Sequence, residues 1–288
     1  MKFAVAPPYD RGAPADPRFM TGLAETADRL GFESLYLSEH IVVVSDYERL
    51  HHYTPDGDIG LPDDTPFPDP LAVLGHVAAR TERLRLATSV LILPEHHPVQ
   101  LAKRLATMDV LSGGRLRIGV GVGWMREEMA ALGVDYSSRG RRTDEAIRVL
   151  RTLWSTDPSD FAGEFFAFRG ARCFPKPVQP GGVPIHVGGH SEAAARRAGR
   201  LGDGFHPLGV DLSALPELTG VVRHHATLAG RDPDAIEVTL TVSLTATDPS
   251  FVRRATAAGV DRLVLSCRSL GLPEIRAEME RIATEHGL

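Results

Sequence analysis

Cysteine, long apolar runs and excess positive charge are all scarce in this sequence, and each shortage removes a class of function. The two cysteines, Cys173 and Cys267, lie far apart and cannot make a disulfide framework or a cysteine-based zinc site. No apolar run approaches the ~18 residues that a membrane-spanning helix needs. Met1 to Ala6 reaches Pro7-Pro8 too soon to form a secretory core, so a cytoplasmic protein is expected. Lys and Arg number 32 against 37 Asp and Glu, a net charge of −5, which offers neither nucleic acid nor an anionic membrane a basic face. Gly-x-Ser-x-Gly and His-Glu-x-x-His are both absent, so there is no nucleophile elbow and no zinc-protease helix. His51-His52 and His96-His97 are histidine pairs without further ligands at a metal spacing, and no metal is expected. Glu95-His96-His97 reads as a surface turn before Pro98. Repeats, low-complexity tracts and linkers are also missing, so residues 1–288 read as one domain.

What is present is a soluble-protein composition, 43% hydrophobic and 24% charged. The most informative stretch is Val183 to Pro207. Val183, Ile185 and Val187 form a short β-rich run, Gly188-Gly189 stops it, Ser191 caps a helix, and Ala193 to Leu201 is a strong helix former. Glycines at a strand-to-helix turn let backbone approach a ligand closely, and the helix start then favours a phosphate. A plain tight turn has the same glycines, and Glu192 in the first turn would partly repel an anion.

The same alternation runs along the chain. Strands are expected at 2–6, 34–37, 84–93, 115–121, 183–187, from Phe205, at 236–245 and at 262–266. Helices are expected between them and at 273–286. Residues 161–182, with Phe165, Phe166 and Phe168 among Gly and Pro, interrupt the pattern as a small hairpin or excursion. Eight strand–helix units in fewer than 300 residues predict an α/β fold, a (β/α)8 TIM barrel, with an open doubly wound sheet as the competitor.

In a barrel, chemistry belongs on the loops after the strands. Those loops contain Ser38-Glu39-His40, a long Asp-, Pro- and Gly-rich segment at 41–68, Ser89 to His97, the G-V-G-V-G-W run from Gly119 to Trp124, and Gly188 to Ser191. His40 could exchange a proton at neutral pH or simply bind backbone. The glycines of the G-V-G-V-G-W run are spaced unlike a dinucleotide fingerprint, so backbone approaching a flat ligand is the better reading, with packing alone also open.

Three motifs make the chain resemble the luciferase-like superfamily, and within it the coenzyme F420-dependent oxidoreductases. They are L-Y-L-S-E-H from Leu35 to His40, the run from Leu86 to Trp124, and P-K-P-V-Q-P followed by V-P-I-H-V-G-G-H-S-E and G-R-L-G-D-G-F. The resemblance covers nearly the whole chain. It implies a TIM barrel with an insertion before strand five and a bound deazaflavin or flavin at the strands' carboxyl ends. Carried over residue by residue, Ser89-Val90 matches a cis peptide that backs the ring, with Gly121, Gly123 and Trp124 nearby. Gly188, Gly189 and His190 match the phosphate-binding turn, and His40 matches a proton donor beside the ring. The implied reaction is hydride transfer between F420 and a small organic substrate. The alternatives are an FMNH2-dependent monooxygenase and, more remotely, a non-catalytic flavin-binding protein or a metal-dependent hydrolase. Arg196, Arg197 and Arg200 could attract the anionic tail of F420 or form a solvated face. A homodimer through outer helices is also implied. One departure matters: Trp124 stands where sugar-phosphate-oxidising relatives place a glutamate, so that activity is not carried over, and Glu127 and Glu128 are weaker substitutes.

Overall fold

The computed structural model describes residues 1–51 and 57–288. His52 and part of the long loop therefore lie outside the described residues. Eight parallel strands form the barrel: β1 (Lys2–Ala6), β2 (Ser34–Leu37), β3 (Arg85–Thr88), β4 (Leu116–Gly121), β5 (Ile185–Gly188), β6 (Gly204–His206), β7 (Glu237–Ser243) and β8 (Arg262–Ser266). Each pairs with the next, and β8 pairs with β1 along its length, Lys2 opposite Arg262 and Ala6 opposite Ser266, which closes the ring. Closure rules out the open sheet and leaves no edge strand to protect.

The helices follow the expected signals. Asp16 caps α1 (Pro17–Leu30), accepting from the amides of Arg18 and Phe19, and Gly31 ends it at φ 83°. Asp69 caps α2 (Pro70–Ala78), and α3 (Pro98–Leu111) opens on a proline at its first position. After β4 come α4 (Arg126–Ala131) and α5 (Arg139–Ser155); α6 (Glu192–Leu201), α7 (Leu215–Leu228), α8 (Pro249–Ala257) and α9 (Leu272–His286) complete the outer layer. The excursion before β5 is an antiparallel hairpin, Ser159–Ala162 with Ala167–Ala171. Glu145 of α5 ties down its turn by accepting from the amides of Glu164, Phe165 and Phe166. One strand departs from expectation. The run 84–93 breaks at a cis peptide between Ser89 and Val90, and Leu91–Ile92 resumes pairing with β4.

The main apolar core lies between sheet and helices, while the barrel's inside has its own small cluster: Ala4, Tyr36, Ala87 and Val264, with Ala6 against it. Inward side chains are large and polar at the amino ends and small at the carboxyl ends. Arg262, Arg117 and His186 fill the lower layer, joined to Glu33 and Glu237, and His206 bonds Thr241 above them. Toward the other mouth stand Ala6, Gly121 and Gly188.

His186 and His206 are buried neutral. Burial first, then Arg117 and Arg262, pushes His186 well below its ordinary value; burial, then Arg262, brings His206 down to about 3. A lowered histidine leaves stability unchanged above its unfolded value, ~6.5, and removes it as pH falls below that, by about 1.4 kcal/mol per pH unit. His206→Gln should thus gain about 2 kcal/mol relative to the parent between about pH 7.5 and about pH 5 in urea unfolding. An unchanged difference between the two curves would contradict the burial of a neutral ring.

Candidate active site

Ser38, Glu39 and His40 leave the carboxyl end of β2 and are fixed at once. The Tyr9 hydroxyl accepts from the Ser38 amide at 2.7 Å and donates to the Ser38 carbonyl at 3.0 Å. Burial pushes that phenol far up, so it stays protonated. The Ser38 hydroxyl donates to the Ser89 carbonyl at 3.0 Å, which links the β2 end to the cis peptide.

His40 is then held by a group that sequence reasoning ranked low. Its Nδ1 lies 2.7 Å from Oε2 of Glu128, in the first turn of α4, and the Glu128 side chain is 0% exposed. The other carboxylate oxygen accepts from the amides of Ile41 at 2.6 Å and Val42 at 3.1 Å. An ionised carboxylate can only accept, so Nδ1 carries the hydrogen and Nε2 is left as the ring's exchangeable site. Neighbouring Glu127 accepts from the amide of Glu48 at 3.0 Å. Two consecutive carboxylates at one helix start therefore clamp the beginning of the long loop, where the helix dipole also favours negative charge.

Trp124 closes the arrangement. Its ring meets His40 edge-on at 5.8 Å, Tyr47 at 5.3 Å and His51 at 5.1 Å, while Phe67 meets His40 at 5.2 Å. Trp124 thus packs the loop against His40, leaving the proton-handling contact to Glu128.

The glycines of β4 and β5 make room for Val90 at the carboxyl mouth. A Cβ on Gly121 would stand 2.5 Å from Val90 Cγ2, and one on Gly188 would stand 2.6 Å from Val90 Cγ1. Both positions must be bare for Val90 to lie between them across the barrel. Gly119, one inward step below, has no room for a Cβ either, because one would run into the Thr88 carbonyl. The G-V-G-V-G-W spacing is therefore a period-two strand pattern. Gly123 does not join this group: at φ 78° it faces Met129 and Ile92, where α4 seats.

At the other turn Gly189 has φ 119°, and its amide donates to the His206 carbonyl at 3.2 Å. His190 follows, and Ser191 caps α6 by accepting from the Ala194 amide at 3.2 Å. The α6 arginines are engaged elsewhere. Arg197 and Arg200 both bind Asp144 of α5, and Arg196 binds Glu192 one turn back. Arg197 is buried while Arg196 and Arg200 are about half exposed, so the three do not form one wholly solvated face.

Glu95 and His96 correct the expectation of a surface turn, because both side chains point inward while His97 is exposed. His96 Nε2 lies 3.0 Å from the Glu39 carboxylate, which also accepts from the Ile92 amide at 2.7 Å. Among the described residues, no group of three or more His, Cys, Asp or Glu could hold a metal ion. Likewise, no helix among them is long and apolar enough to cross a membrane.

Residues 1–281 match the family described as luciferase-like monooxygenase. The chain belongs to that family. Among its relatives, an uncharacterised protein of Mycobacterium tuberculosis is 34% identical over 257 residues, 89% of this chain and 87% of the relative. An F420-dependent glucose-6-phosphate dehydrogenase of Nocardia farcinica is 32% identical over 244 residues, 82% of this chain and 67% of that enzyme. Among solved structures, the monooxygenase RslO1 of Streptomyces bottropensis superimposes with a TM-score of 0.78 at 22% identity, over 99% of this chain and 98% of its own. That last likeness speaks for the fold of this luciferase-like protein, a (β/α)8 barrel with its insertion before β5.

Proposed function

We propose that this luciferase-like protein is an oxidoreductase that binds coenzyme F420 at the carboxyl mouth of the barrel and exchanges hydride with a small, mostly apolar organic substrate. The observation that carries the reading is the Val90 floor, bare of Cβ atoms on both sides at Gly121 and Gly188, beside a buried His40–Glu128 pair. A flat ring needs such a floor, and two-electron chemistry needs a proton site next to it. The residues present therefore fit a deazaflavin. The F420-dependent relative at 32% identity supports the deazaflavin over a flavin.

When bound, the cofactor supplies the hydride chemistry. This chain's residues do the rest. Gly121, Gly188 and Val90 receive the ring face, and the turn at Gly189-His190 with the α6 start receives the phosphate. His40 holds or releases the proton at Nε2 while Glu128 fixes the ring and its tautomer. The loop from Ile41, tied to α4 and packed on Trp124, excludes water. Trp124 has no proton to give, so a sugar phosphate is not the proposed substrate.

Titrating the protein with F420 and with FMN, each oxidised and reduced, and following absorbance and fluorescence tests this directly. Selective tight binding of F420 is expected. Tight binding of FMN alone, with oxygen-dependent product formation, would replace the reading with a flavin monooxygenase.

A further inference from the structure

Three carboxylates converge beneath the loop that follows β4, and only two of them are accounted for. Glu39 holds His96 and the Ile92 amide, and Glu128 holds His40 and the amides of Ile41 and Val42. Glu95, between them, is different. Both of its carboxyl oxygens are shielded from solvent and neither has a hydrogen-bond partner among the described residues. Its surroundings are apolar: a Cβ added to Gly123 would run into Met129 Cε and Ile92 Cγ2 and stand 3.7 Å from Glu95 Oε1.

No cation among the described residues answers it. Arg142 on α5 reaches the neighbouring Pro94, but its Nε donates to the Pro94 carbonyl at 3.0 Å and its guanidinium covers the Phe166 ring. His96 is turned to Glu39 and His40 to Glu128, and Glu127 on α4 is turned to the Glu48 amide. The charges that do face Glu95 are Glu128 and Glu39, both negative; burial first, then these two, pushes its carboxyl up to about 9.

We propose that Glu95 is a positioning residue: its uncharged carboxyl lets Glu128 stay ionised against His40 and the loop backbone, and its ionisation loosens that clamp. The physics is a like-charge pair in a poorly solvated place. While Glu95 keeps its proton, the single charge on Glu128 is matched by three donors. Once Glu95 loses it, a second negative charge stands nearby with no donor of its own, which favours a proton on the His40–Glu128 pair. His40 would then become harder to deprotonate, and the Ile41 and Val42 amides would lose part of their acceptor. The inference concerns the ligand-free protein and stands whichever cofactor binds.

Two measurements on that protein test it. Infrared spectroscopy should show a protonated carboxyl band at neutral pH that is missing in Glu95→Gln and that titrates away near pH 9 in the parent. NMR of ring-labelled histidine, with the His40 signal assigned by its loss in His40→Gln, should show an inflection in the same pH range that Glu95→Gln abolishes. A merely structural acid would alter stability and leave the His40 curve alone. An inflection that persists in Glu95→Gln overturns the proposal, as does a neutral-pH spectrum without the band. If Glu95→Gln does not fold, the parent decides by itself: a band that vanishes in step with the His40 shift supports the proposal, and one that does not overturns it.

Discussion

Glu128→Gln should cut turnover by roughly 10²–10⁴-fold while cofactor affinity stays close to that of the parent. Glutamine keeps the shape of the side chain and can still accept from the Ile41 and Val42 amides, so the loop start is retained. What changes is the contact with His40. The amide nitrogen now donates to Nδ1, which moves the ring hydrogen to Nε2 and exchanges the roles of the two nitrogens. A proton acceptor becomes a donor with no loss of packing. His40→Ala should reach a similar turnover by removing the ring altogether, and the double variant should be no worse than either single one, since the two residues act as a unit. Steady-state kinetics and cofactor titration on the three proteins would check this. Losses that simply multiply would mean the two residues work independently, and an affinity loss as large as the turnover loss would place Glu128 in cofactor binding.

The sequence carries the barrel more completely than it carries this pair. Strand and helix signals are local: Asp16 before Pro17, Gly31 after Leu30 and the β-branched run of β7 each act on their immediate neighbours, and the structure sets these elements within a residue or two of expectation. The region 84–93 misleads because a turn at Ser89-Val90 leaves the apolar pattern uninterrupted on both sides. Side-chain pairings across the barrel have no such local signature. His40 and Glu128 are 88 positions apart, and Glu39 and His96 are 57 apart. Only the consecutive acids at the α4 start hinted at a role, and an acidic first turn is normal helix chemistry. Glu95 was illegible for a related reason: Glu-His-His before a proline has the composition of a solvated turn, and only the tertiary packing of Gly123 and Met129 turns its carboxyl inward. Trp124 in turn reads as a lost acid by motif, whereas its ring contacts with His40, Tyr47 and His51 give it a packing role.

At the opposite end of the barrel, Glu33→Ala should destabilise the protein by about 3–5 kcal/mol. Glu33 is the shared partner of two buried guanidiniums. Its Oε1 accepts from Arg117 at 2.9 Å, and Arg262 reaches both oxygens, at 2.8 Å from Nε and 3.0 Å from Nη2. Burial alone would raise the Glu33 carboxyl, but Arg117 and Arg262 outweigh it and hold it well below the ordinary range. Removing it leaves Arg262, 0% exposed, with Glu237 as its remaining carboxylate and Arg117 with a longer contact of 3.9 Å to the same group. A depressed carboxyl contributes stability above its unfolded value, ~4.5, and loses it as pH falls toward the folded one. The gap between parent and variant in urea unfolding should therefore be widest at neutral pH and narrow in acid. Glu33→Gln should lie between them, because an amide oxygen can accept from one arginine but brings no charge. His40 stands at the far mouth, so its NMR titration in Glu33→Ala should follow the parent's curve, whereas Glu128→Gln should alter that curve and cost less stability. A pH-independent gap would mean that Glu33 contributes by packing and not by charge. A shifted His40 curve in Glu33→Ala would mean that the two ends of the barrel are electrically coupled, against the division between an ionic base and a chemically poised mouth.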